Sequence, residues 1–133
     1  MCVSTLLLAW QTRTLAQQAK ISNAIAGTSV LHDTLESVRE IFMLFVERPE
    51  LRAYFYENKP CPKRGSTRAR LLTIADMLAD ALEDGLVGTR LVPSSESTDD
   101  WKDYSRYMVE HSPVLRELLA SFPQWWPNLY SLV

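Results

Sequence analysis

Asp76, Asp80 and Asp84 recur every four residues and so share one face of any helix that contains them. His32, Glu36 and Glu40 do the same further upstream. Rows of carboxylates, one with an imidazole, are the raw material of a metal site or an acid–base pair. Carboxylate-bridged metal sites in helical bundles draw Glu-x-x-His pairs inward from two helices. Neither row has that three-residue spacing, and both lie off the apolar stripes of their helices, facing water. No metal and no cofactor is therefore expected. A thiolate is the next chemistry to weigh. Lys59 and Lys63 flank Cys61, which would lower its pKa. A nucleophilic cysteine also needs a base, and His32 and His111, the two histidines, stand far from it in sequence. No G-x-S-x-G, H-E-x-x-H or Walker pattern occurs. The reading is of a protein that is not an enzyme.

Binding chemistry is better represented. Lys59, Lys63, Arg64, Arg68 and Arg70 lie between Glu57 and Asp76 with no acid among them, close to Tyr54 and Tyr56. Bases interleaved with aromatics can follow a single strand of nucleic acid, meet anionic lipid head groups, or remain a solvated loop. The net charge of -2 argues against a dedicated nucleic-acid binder. A solvated loop and helix start is the main reading, and an anionic membrane surface or a protein partner is the contact the collar would otherwise suit. After Leu71 acids outnumber bases, so the surface is dipolar.

The stretch SFPQWWPNLYSLV holds Trp125 and Trp126 between Pro123 and Pro127. Adjacent helical residues point about 100° apart, so both indoles cannot face one core from a helix. One is expected to cap the core and the other to lie along the surface as a contact point. An aromatic pocket shared with Tyr54, Tyr56 and Trp101 is the alternative.

These groups must be carried by helices. The chain of 133 residues suits one compact domain, and its two cysteines make no disulfide framework. From Val3 to Glu47 there is no proline. Leu31, Leu35, Val38, Phe42 and Phe45 alternate four- and three-residue steps, predicting one buried face. Extended backwards, that seam passes Thr28, Ala24, Ile21, Gln17, Thr14, Trp10 and Leu7 and weakens. One long helix is expected, continuous or bent near Ala26–Ser29. RPELRAYFYEN restarts a short helix and NKPCPKRG is a loop. Ser66 opens a helix to Val87 with Leu71, Ile74, Ala75, Leu78 and Leu82 inward. VPSSESTDD is a second loop ending in cap chemistry at Ser97 or Thr98. The next helix turns Trp101, Tyr104 and Met108 inward, and Ser112-Pro113 opens another. No stretch alternates with a two-residue period. The fold class is all-α: a long N-terminal helix packed against a small antiparallel helical bundle.

Lengths divide the chain. At ~1.5 Å per residue the first helix runs about 67 Å and the Ser66 helix about 33 Å. The bundle, 29–133, covers half of the first helix, and 1–28 projects as an arm. An isolated helix is marginal in water, so the arm needs a second copy, a membrane or a fold-back. Ala16, Ala19, Asn23 and Ala26 form a row of small residues that permits close helix approach. The start, MCVSTLLLAWQT, is apolar but far short of the ~20 residues that span a bilayer. In a membrane reading Trp10 sits at the interface and Arg13 and Lys20 on the cytoplasmic side.

ERPELRAYFYENKP, LTIADMLAD and WKDYSRYMVEHSPVLRELL…WWP, in that order, resemble a group of small uncharacterised bacterial proteins. Those pair one N-terminal membrane helix with a compact helical domain. The resemblance runs from Gln11 to Trp126. It implies that fold and a membrane-proximal setting, and it carries no catalytic residue across. The short apolar start departs from the pattern and reads as a truncated anchor. The function expected is a cytoplasmic interaction or scaffold module at the inner face of the cell membrane. It would be a homo-oligomer formed through the first helix. A helical domain binding a small ligand or partner in an aromatic pocket is the alternative.

Overall fold

In the computed structural model every described element is helical. It describes residues 2–91 and 97–133; the side chains of Cys2, Asn23, Ala24, Thr28, Ser97 and Thr98, and the expected loop over 92–96, lie outside the described residues. Helix α1 (Cys2–Glu47) is a single helix of 46 residues with no break at Ala26–Ser29. A 3-10 turn at Pro49–Leu51 and the short α2 (Ala53–Tyr56) follow. Asn58, in the left-handed region at φ 59°, turns the chain away from α2 and donates its N–H to the His111 carbonyl. Helix α3 (Ser66–Leu91) runs 26 residues, one turn past Val87, because the two glycines near its end are buried helical positions. Helices α4 (Ser97–His111), α5 (Pro113–Ser121) and α6 (Pro127–Tyr130) complete the chain.

α1 and α3 pack antiparallel. Val30 and Leu31 lie where a side chain on Gly88 would reach, and Leu44 lines a cleft with Ile74 at the other end of the seam. α3 also carries Trp101 of α4. A Cβ on Gly85 would stand 2.0 Å from that indole, whose Nε1 donates to the Leu82 carbonyl. Glycine is required there because the indole occupies the space of a side chain. Ser112 caps α5, accepting from Leu115 N–H while its hydroxyl donates to the Tyr54 carbonyl.

The buried face of α1 is not the stripe that the sequence pattern suggests. Gly27, Thr34, Val38, Ile41 and Phe45 are buried and Leu31 is half-buried. Leu35 is 53% exposed and Phe42 42%. Both stripes have heptad spacing and share Val38 and Phe45. α3 covers the face on the Thr34–Ile41 side, and the other three-residue step is left outside.

The tryptophan pair splits. Trp126 is 4% exposed and its Nε1 donates to Asp80 at 2.7 Å. Trp125 is 63% exposed, stacked on Phe122 at 4.2 Å. Pro127 opens α6, and the next two free N–H groups, on Asn128 and Leu129, donate to the Glu83 carboxylate at 3.1 and 2.8 Å. That carboxylate also accepts from the Asn128 side chain at 2.7 Å. A carboxylate at a helix N-terminus is favoured by both the dipole and the unpaired donors. Leu129 is thereby seated in the core. Trp126→Ala is expected to cost about 3–5 kcal/mol in urea unfolding and Trp125→Ala about 0.5 kcal/mol. Equal costs would show that Trp126 is not the core cap.

Candidate functional site

One member of the carboxylate rows, Asp80, has a structural duty: with its neighbour Glu83 it holds the C-terminal segment. Asp76 and Asp84 have pKa values raised by partial burial first and by the neighbouring Asp80 charge second. His32 pairs with Glu36 at 3.3 Å on an exposed face. Among the described residues no cluster of three or more ligating side chains is placed to hold a metal ion.

The basic collar is smaller than its sequence implies. Arg68 is half-buried and forks onto Glu117, with one bond at 3.2 Å, and donates to the Pro62 carbonyl at 3.1 Å. It ties the Cys61 loop to α5. Lys59 lies over the Tyr54 ring at 4.6 Å. Lys63 and Arg64 are exposed, and Arg70 borders a cleft. Cys61 has the character of a structural loop cysteine rather than an activated thiolate. Burial pushes its thiol pKa up, outweighing the Arg68 guanidinium 3.7 Å away. A protonated thiol is a poor nucleophile.

The aromatics of the pocket reading are committed to separate places. Trp101 fills the Gly85 notch and Trp126 the Asp80 corner. Tyr56 bonds the Tyr104 hydroxyl at 3.1 Å, and burial raises the pKa of both phenols. Tyr56 also lines a cleft of about 340 Å³ with Phe42, Phe45, Val46 and Arg52. An apolar cleft of about 490 Å³ lies on the other side of α1, between Leu44, Leu51, Ile74 and Met77. A polar cleft of about 420 Å³ joins Arg90, Lys102 and Arg106 to Asp99 and Asn128.

A broad apolar surface lies on α1. Val3, Leu6, Leu7, Trp10, Ile21 and Ile25 are all well exposed. At ~100° per residue they fall within an arc of about 100°, centred about 110° from the core face. Leu35, Phe42 and Val46 continue that arc over the bundle. Leu8 and Leu15 are exposed on another side. Ala16, Ala19 and Ala26 are exposed too, but on a face roughly opposite Trp10 by the same ~100° rule. Asn23, of that row, has its side chain outside the described residues. A single helix partner therefore meets either the large apolar side chains or the small ones. The heptad pattern assigns Leu35 and Phe42 to the core and so hides this surface. Their heptad continuity with Leu7, Trp10 and Ile21 was the available signal.

No helix among the described residues is long and apolar enough to cross a membrane. The membrane helix implied by the resemblance is thus not found there. No family model, curated protein or solved structure matches the chain.

The Arg68–Glu117 tie generates a pH prediction. The guanidinium holds the Glu117 carboxyl below its usual range. A carboxylate whose folded pKa is depressed adds stability above its unfolded pKa, ~4.3, and loses it as pH falls through the folded value. Glu117→Gln should flatten the acid limb of the stability–pH curve below about pH 4.3 and lower the plateau at neutral pH. An unchanged acid limb would remove Glu117 from the stabilising set.

Proposed function

We propose that the protein is a non-enzymatic interaction or scaffold module that self-associates through α1 at the cytoplasmic face of the cell membrane. The observation that carries this is the apolar arc on the first half of α1, from Val3 to Ile25, whose large side chains are exposed among the described residues. A helix of that length gains little from intrinsic propensity in water. Each large aliphatic or aromatic side chain removed from water contributes about 1.5–3 kcal/mol. A second α1 offers the same arc in return, as a twofold interface requires.

The membrane setting rests on a more specific observation. Val3, Leu6, Leu7 and Trp10 are exposed together ahead of Arg13 and Lys20, the two charges of this half. An apolar tip followed by cations suits the interface of an anionic bilayer. Leu7→Glu with Trp10→Glu should convert a dimer to a monomer in sedimentation velocity, with bundle stability changed by no more than about 0.5 kcal/mol. A native chain that sediments as a monomer would overturn self-association. Flotation on phosphatidylserine-containing vesicles, lost in the same variant and reduced in Arg13→Gln with Lys20→Gln, would support the membrane setting. Absence of native flotation would remove it.

A further inference from the structure

Self-association through α1 leaves the relative direction of the two helices open, and three observations bear on it. The first is charge. The first thirty residues carry Arg13 and Lys20 and no acid, +2. The whole chain is -2, from 14 bases and 16 acids, so the remainder has 12 bases and 16 acids, -4. A parallel pair lays +2 along +2 and -4 along -4. An antiparallel pair lays each basic half along the acidic body of the other copy. Opposite potentials across an interface favour one orientation and penalise the other.

The second is continuity of the apolar arc. Leu35, Phe42 and Val46 sit on the outer face of the bundle half of α1, exposed and in line with Leu7, Trp10 and Ile21. The third is the cleft of about 340 Å³ beside them, lined by Phe42, Phe45, Val46, Arg52 and Tyr56. It has aromatic and aliphatic walls and a guanidinium at its edge, 4.4 Å above the Tyr56 ring. An indole suits it, offering a broad apolar face and a polar edge that can stay wet.

Resting on the self-association reading, we infer that two copies pair antiparallel along α1, each Trp10 seated in the Phe42–Val46–Tyr56 cleft of the other. The twofold axis crosses at the level of Ala26. The exposed seam positions then match in order, Trp10 with Phe42 and Gln17 with Leu35. The first half of α1, about 37 Å at ~1.5 Å per residue, matches the bundle half, about 31 Å, so each covers the other.

Disulfide trapping separates the orientations. In a Cys2→Ser, Cys61→Ser background, Gln17→Cys protein and Leu35→Cys protein are prepared separately, mixed, and equilibrated in a glutathione buffer. The antiparallel pair links Gln17→Cys to Leu35→Cys and leaves Gln17→Cys alone unlinked, its two thiols lying about 27 Å apart along the axis. A Gln17→Cys homodisulfide, or no link in a chain that sediments as a dimer, overturns the orientation and leaves self-association standing. A monomeric native chain overturns both. Affinity should also fall from low to high salt, because the attraction between unlike halves is screened. Affinity that rises with salt contradicts the charge argument.

Discussion

The antiparallel seam between α3 and the second half of α1 is the contact on which the rest of the molecule is built. α3 has three jobs along its length. One face meets α1 through Ile74, Ala81 and Gly88, a notch at Gly85 admits Trp101 of α4, and an acidic edge receives the C-terminal segment. Because α3 is 26 residues and α1 is 46, the seam ends with much of α1 still to come. The unmatched length is a geometric result of the two helix lengths, and it leaves the apolar arc exposed among the described residues.

Polar chemistry in this protein mainly closes the fold. Glu83 substitutes for the missing hydrogen-bond partners at the start of α6, Asp80 satisfies the Trp126 indole, and Arg68 joins a proline-rich loop to α5. Glu83 and Asp80 accept from backbone and ring donors, and Arg68 donates to a backbone carbonyl; leaving such a group buried and unpaired would cost about 1–3 kcal/mol. Ser105 is the exception, a buried hydroxyl with no partner among the described residues. Of the carboxylate rows that the sequence displays, Asp80 holds the C-terminal segment through Trp126, and its neighbour Glu83 latches α6.

The helices, their order and the Ser112 cap were legible from periodicity and proline placement. So was the division of labour between Trp125 and Trp126, since two adjacent indoles flanked by prolines cannot share one face. The rotation of α1 was not legible. Its two stripes share Val38 and Phe45 and have the same spacing, so hydrophobicity alone cannot tell which faces α3. The choice depends on long-range packing at Gly88 and Ile41. The roles of Glu83 and Arg68 were hidden for a similar reason: their partners lie 45 or more residues away.

The continuity of α1 across Ala26–Ser29 has a consequence for ordering. Starting a helix is the unfavourable step, and extending one is nearly neutral per residue. The packed half, Leu31 to Phe45, supplies the nucleus, so the exposed half grows as an extension from a fixed end. Its helicity should therefore decline along a gradient away from the bundle, with amide exchange fastest at the far turns. A partner helix that docks there would meet a template already wound at its root, and docking would draw the remaining turns into the same cooperative unit.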